Sequence, residues 1–75
     1  MTRSKFKKYI ISIGFICDKY MLDRFSYKNH TLIVYNDFYE LYKGKVLEFN
    51  GAYVFEELKP LKQIERSYKL KKILN

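Results

Sequence analysis

Several residue types that small proteins often depend on are scarce in this 75-residue sequence. Its one cysteine, Cys17, has no partner for a disulfide within the chain, which favours a reducing compartment such as the cytoplasm. With a single histidine, His30, the chain has too few soft ligands for a metal cluster. The three glycines are dispersed, so no glycine-rich phosphate loop occurs. The sequence therefore predicts no metal and no other cofactor.

Residues in a catalytic arrangement are also missing. Cys17 has no histidine near it in sequence, and we expect it to be a small buried residue. His30 falls in a predicted turn and is expected on the surface. A chain this short buries only about 60% of its unfolded surface, which leaves little material for a deep cleft. We expect one small domain, residues 1–75, that is not an enzyme.

The composition is that of a folded and basic chain. Aromatic residues make up 19% of it and hydrophobic residues 48%, which is too apolar for a disordered tail. The formal net charge of +7 invites a nucleic-acid partner. However, residues with AT-rich codons (Phe, Tyr, Met, Ile, Asn and Lys) dominate the sequence, so genome composition also explains many of the lysines.

The N-terminal stretch TRSKFKKYIISIGFIC predicts a helix and not a membrane segment. Its apolar run is too short to span a bilayer, and no small-x-small cleavage site follows it. Ser4 is the predicted N-cap and Gly14 the left-handed residue after the helix. The apolar stripe of this helix is Phe6, Tyr9, Ile10 and Ile13.

The central part of the sequence, about residues 20–55, predicts an antiparallel meander of three to five short strands. Asn-Gly in VLEFNGAYVF (46–55) is typical of a type I′ hairpin turn, which would pair Phe49 with Ala52. A second hairpin, TLIVYNDFYELY, would pair Val34 with Tyr39 and turn at Asn-Asp. A third turn is expected near Asn29-His30, with residues 21–27 as its first strand.

Alternation along these strands sorts the side chains onto two faces. The predicted core face contains Met21, Phe25, Tyr27, Leu32, Val34, Tyr39 and Leu41, continued by Leu47, Phe49, Ala52 and Val54. A plain turn at Lys43-Gly44 would bring Glu48 onto this face. We therefore predict one extra residue at 43–45, as a three-residue or bulged connection with Gly44 at positive φ.

A second helix is predicted to follow the strands. Pro60 suits its first turn, and Leu61, Ile64 and Tyr68 form one apolar stripe. Leu70, Ile73 and Leu74 fall on another side of an ideal helix. The helix therefore bends, ends near Tyr68, or presents a second apolar patch. In the last case, formation of a homodimer through this patch is one alternative. The expected fold is α+β: an N-terminal helix, the antiparallel meander and a C-terminal helix.

The face opposite the core contains the candidate binding residues, namely Arg24, Lys28, Tyr35, Phe38, Tyr42 and Tyr53. Exposed rings flanked by basic residues favour stacking with single-stranded DNA or RNA, although Glu40 on the same face would repel a phosphate backbone. Tyr and Phe mixed with both charge signs are also typical of a protein-docking patch. The alternative without a partner is an ordinary half-exposed sheet surface, or a face covered by the second helix.

A second candidate site is the basic patch near the C-terminus, formed by Arg66, Lys69, Lys71 and Lys72. Such charges add salt-sensitive contacts to phosphates. They also stabilise a helix C-terminus through its dipole without any partner. Both interpretations stay open.

The motifs IGF, YNDFYELYKGK and ELKPLKQIERSYKLKKIL, in this order, resemble small uncharacterised proteins of phages and prophages of low-GC bacteria. The resemblance is one of size, composition and layout over the whole chain. It implies a cytoplasmic protein of a bacterial host that binds host proteins or nucleoprotein complexes, as inhibitors of defence systems such as anti-CRISPR proteins do. The alternative function is direct binding of single-stranded nucleic acid through the aromatic and basic sheet face.

Overall fold

A computed structural model describes residues 1–74 and has an α+β fold. Helix α1 (Arg3–Ser12) is followed by five strands, which are β1 (Ile16–Cys17), β2 (Arg24–Tyr27), β3 (His30–Val34), β4 (Phe38–Lys43) and β5 (Val46–Ala52). A 3-10 turn (Phe55–Leu58) leads into helix α2 (Lys59–Leu74). The strands form one antiparallel sheet in the order β1-β2-β3-β4-β5. The predicted helix–meander–helix order is confirmed.

The N-cap of helix α1 lies two residues earlier than predicted. Thr2, not Ser4, is the N-cap, and its hydroxyl accepts a hydrogen bond from the Lys5 amide. At the other end Gly14 adopts φ +112°, and the amide of Phe15 donates to the carbonyl of Ile10 at 3.0 Å. The chain therefore folds back, and the side chain of Phe15 joins the core.

Both helices pack on the same face of the sheet. Phe6, Ile10 and Ile13 of α1 and Leu61 and Ile64 of α2 are buried in one cluster. The strands contribute to the same cluster the side chains of one face, Phe25, Leu32, Val34, Tyr39 and Leu41. No element among the described residues contributes a buried side chain over the other face, which we call the open face.

The β3–β4 hairpin folds as predicted, whereas the β2–β3 hairpin turns one residue earlier than the predicted Asn29-His30. Val34 lies opposite Tyr39 and Leu32 opposite Leu41, with a turn at Asn36-Asp37. The hairpin of β2 and β3 turns at Lys28-Asn29, where Lys28 has φ +54°. However, β2 begins only at Arg24. Met21 is therefore not in the core but 54% exposed in the preceding loop.

The predicted Asn-Gly hairpin is wrong. Strand β5 runs through Asn50 and Gly51, which pair with Glu40 and Tyr39 of β4. A Cβ on Gly51 would overlap the Phe49 ring and lie 3.2 Å from the carbonyl oxygen of Glu57. This glycine therefore provides space for close packing, and not positive φ for a turn.

The extra residue lies in β5 and not at 43–45. Lys43 pairs with Val46 across a two-residue turn, Gly44-Lys45, in which Gly44 has the predicted positive φ of +61°. The register then shifts, since Tyr42 pairs with Leu47 but Leu41 pairs with Phe49. The shift leaves Glu48 exposed and returns Phe49 to the core side. Leu47 and Val54, predicted for the core face, are exposed.

Helix α2 continues to Leu74. Leu61 and Ile64 are buried and Tyr68 half-buried, as their stripe predicts. Leu70 and Ile73 are exposed, so α2 presents a second apolar patch; the side chain of Leu74 lies outside the described residues. Within the described part of the chain, no helix has the length and apolar character needed to cross a membrane.

Candidate docking surface

The open face brings two predicted aromatics into direct contact. The rings of Tyr35 and Phe38 are stacked, with centroids 4.6 Å apart and planes 14° apart. The chain brings them together because the Tyr35 amide donates to the Phe38 carbonyl at 2.8 Å, which closes the turn between β3 and β4. Tyr35 is 37% exposed and Phe38 38%, so the pair presents apolar surface to solvent.

A carboxylate lies beside this pair. Glu40 Oε1 accepts hydrogen bonds from the hydroxyls of Tyr35 (2.8 Å) and Tyr42 (3.1 Å). These bonds raise the pKa of both tyrosines, because each hydroxyl would have to ionise next to a negative charge. No described residue donates a hydrogen bond to the second oxygen, Glu40 Oε2. This oxygen is therefore available to a donor from outside the chain.

Two of the predicted site residues lie elsewhere. Tyr53 is only 6% exposed, stacks on the core ring of Phe6 and donates to the carbonyls of Tyr35 and Phe38. Its prediction for the surface depended on the Asn-Gly hairpin and is wrong. Lys28 is not on the open face either, since its ammonium lies over the Tyr27 ring on the helix side. Arg24 is exposed and lies opposite Ile33.

The loop between β1 and β2 adds exposed apolar residues that the sequence analysis missed. Tyr20 is 92% exposed and Leu22 71%, with Met21 between them. The Asp18 carboxylate holds the loop, because it accepts from the amides of Tyr20 (2.8 Å) and Met21 (3.0 Å). These two hydrogen bonds lower the pKa of Asp18. An Asp side chain that accepts from the amides two and three residues later forms a turn. In the sequence, the indication of this turn is the Asp two residues before the apolar run.

An ion-pair cluster joins this loop to the turn beside Tyr35. Asp23 pairs with Lys7 at 2.7 Å and with Arg3, and Arg3 also donates to the side chain of Asn36 at 3.2 Å. The amide of Val34 donates to the carbonyl of Asp23 at 2.8 Å. The loop and the turn therefore lie at the same end of the sheet. We call the residues exposed there the apolar end; they are Tyr20, Met21, Leu22, Tyr35 and Phe38.

The basic patch does not form one surface. Lys69 pairs with Glu65 at 3.2 Å and lines a shallow cleft together with Arg66 and Leu70. Lys71 and Lys72 instead line a cleft against Tyr27 and Gly14. The four predicted residues are thus divided between two sides of α2, and neither cleft includes a residue of the apolar end.

Comparison with known proteins identifies no relative: no family model, no curated protein and no solved structure matches this chain. Among the described residues there is also no group of three or more His, Cys, Asp or Glu side chains placed to hold a metal ion.

Proposed function

We propose that this chain is a non-enzymatic binding module that docks a host protein, alone or within a nucleoprotein complex, through the apolar end and Glu40. The observation that carries the proposal is the stacked Tyr35–Phe38 pair next to the available Glu40 Oε2. Aromatic rings that are already held in place lose little side-chain entropy when a partner covers them.

The partner that fits is a protein surface with apolar side chains and a basic residue. Apolar groups would cover the rings of Tyr35 and Phe38 and the loop residues. An arginine or lysine would reach Glu40 Oε2 and meet a carboxylate that two tyrosine hydroxyls keep in position. Resemblance in size, composition and layout to phage and prophage proteins adds support for a bacterial host partner, including a defence complex.

Direct binding of single-stranded nucleic acid to the same face is less well supported. Glu40 is hydrogen-bonded to Tyr35 beside the Tyr35–Phe38 pair, and its negative charge would repel a phosphate there. Lys28, expected to neutralise that phosphate, lies on the helix side, and Tyr53 is buried. A stacking surface needs cations beside its exposed rings, but the group hydrogen-bonded to Tyr35 is a carboxylate, and the exposed Arg24 lies in a cleft with Tyr42 instead.

The test is capture of partners from a bacterial lysate by tagged protein, followed by affinity measurements with the purified partner. Tyr35→Ala with Phe38→Ala is expected to weaken binding at least about 10-fold, because each removes a central aromatic contact. The matched control, Leu70→Ala with Ile73→Ala, removes two exposed apolar side chains from α2 and should leave the affinity unchanged. Equal affinity of the first variant and the unmodified chain would refute the proposal.

A further inference from the structure

A basic cleft lies where the C-terminal part of α2 meets the end of β2, and the proposed docking surface does not include it. It has a volume of about 430 Å³, within the range of ligand sites. Lys28, Lys71 and Lys72 line it together with Ser26, and the rings of Tyr27 and Tyr68 form its walls. None of these lining residues is acidic.

Aromatic contacts fix the walls of this cleft. The Tyr27 and Tyr68 rings meet edge to face, with centroids 5.9 Å apart and planes 84° apart. The Lys28 ammonium lies 5.4 Å from the centroid of Tyr27, and that of Lys72 lies 5.4 Å from the centroid of Tyr68. Cation–π attraction holds both ammoniums near the cleft and leaves their N–H donors available.

The charges of the cleft are not neutralised within the described part of the chain. Lys62 and Lys69, on the same helix, both pair with Glu65. In contrast, no ion pair among residues 1–74 involves Lys28, Lys71 or Lys72. Three cations that share one cleft repel each other, and an anionic ligand would remove that repulsion.

A second cleft continues the first along α2. It has a volume of about 400 Å³, shares Tyr27 and Lys28 with the first, and adds Lys43 and His30. Gln63 and Ser67 of α2 provide polar donors along it, and Glu48 is its one acidic residue. The His30 Nδ1 atom is buried there without a hydrogen-bond partner among the described residues. The two clefts share Tyr27 and Lys28 and together follow α2 from Pro60 to Lys72, so we treat them as one groove.

We propose that this groove binds the phosphodiester backbone of a single-stranded nucleic acid, without reading its sequence. Lysines together with Ser and Gln side chains are the usual donors to phosphate and sugar oxygens. Lysines already lie over the faces of Tyr27 and Tyr68, so these rings position cations instead of stacking with bases. The nucleic-acid contact is thus assigned to the helix side and is independent of the proposed protein docking on the open face.

The experiment measures binding of a fluorescent oligothymidylate by anisotropy over a series of salt concentrations. Lys71→Gln with Lys72→Gln should weaken binding about 10-fold or more. It should also reduce the slope of log K against log salt by about 1.4, since roughly 0.7 counterions are released for each of two phosphate contacts. The control, Lys62→Gln with Lys69→Gln, removes the same charge from the same helix and should change affinity less than about 2-fold. Lys28→Gln is an independent test, because Lys28 lies in the β2–β3 turn and not on α2. This variant should also bind the oligonucleotide more weakly.

Three outcomes would overturn this proposal. The first is no binding at low salt. The second is an equal loss of affinity in the groove and control variants, which would indicate only a general effect of net charge. The third is displacement of the oligonucleotide by polyglutamate at equal charge concentration, which would indicate a groove for acidic peptides. Circular dichroism of each variant confirms that it is folded.

Discussion

The Tyr68 ring lies so close to Gly14 that a Cβ at position 14 would be 2.8 Å from its Cδ1 atom. The same Cβ would be 3.0 Å from Cε1 of Tyr27. One residue therefore ends α1, redirects the chain at φ +112°, and provides the space in which the two cleft tyrosines meet. The end of the first helix and the basic groove depend on the same glycine.

Gly14→Ala should destabilise the fold by about 2 kcal/mol or more, because it combines a disfavoured positive φ with a steric clash. Gly44→Ala is the matched control, since Gly44 also has positive φ but nothing lies within 4 Å of its added Cβ. It should cost only about 1 kcal/mol. Urea unfolding measures both, and equal losses would contradict the close packing of Gly14 against Tyr68.

Removing the Tyr53 hydroxyl should destabilise the turn at 36–37. This hydroxyl donates to the carbonyls of Tyr35 and Phe38. Tyr53→Phe removes this donor from both half-buried carbonyls and should lower the free energy of unfolding by about 1–2 kcal/mol. Tyr20→Phe changes a ring that is 92% exposed and should leave stability unaltered. Thermal unfolding followed by circular dichroism compares the two; an unchanged midpoint for Tyr53→Phe would show that Tyr53 is not anchored in this way.

The Asp23 carboxyl should make the free energy of unfolding depend on pH. Hydrogen bonds from Lys7 and Arg3 lower the pKa of its carboxyl below the usual value. A lowered folded-state pKa means that the stabilisation is present above the unfolded pKa, about 4, and is lost as the pH falls through the folded pKa. Because the three side chains are partly exposed, Asp23→Asn should cost only about 0.2–1 kcal/mol at pH 7.

The measurement is urea unfolding of the unmodified chain and the Asp23→Asn variant at several pH values. Their free energies of unfolding should converge as the pH falls below the folded pKa of Asp23, because the protonated carboxyl no longer pairs with Lys7 and Arg3. A difference that is constant from pH 7 to pH 2 would show that charge at Asp23 contributes nothing.

Local pattern was sufficient for the helices and for the β3–β4 hairpin. Alternating apolar residues fix the pairing of Leu32 with Leu41, since a slip by one residue would expose both. The same kind of signal failed at Asn50-Gly51, because the fit of Phe49 over Gly51 is a tertiary contact that local propensity does not contain. That one error placed Tyr53 on the wrong side of the sheet.

The candidate sites were predictable only in part. Tyr35 and Phe38 were found because they share a correctly paired hairpin. The exposed loop residues Tyr20 and Leu22 were missed, since an apolar run gives no indication of whether a helix will cover it. The basic groove was missed for a similar reason: Lys28 and Lys72 meet only through the packing of α2 against the β2–β3 turn.

Substitution of Asn50 tests the corrected course of β5. A β-branched residue is favourable in a strand. Asn50→Thr should therefore lower the free energy of unfolding by less than about 0.5 kcal/mol, or raise it. Lys28→Thr places the same residue at φ +54° in a turn and should cost about 1–2 kcal/mol. A large loss for Asn50→Thr in urea unfolding would instead support a turn with positive φ at position 50.

We propose that the apolar end and Glu40 on the open face, and not the helix side, contact the protein partner. The most direct measurement is photo-crosslinking of the captured complex with a photoreactive residue at Asn50, which pairs with Glu40 on the open face, or at exposed Arg66 on α2. We expect a covalent adduct with the partner from position 50 and none from position 66. An adduct from position 66 alone would show that the partner binds the helix side instead.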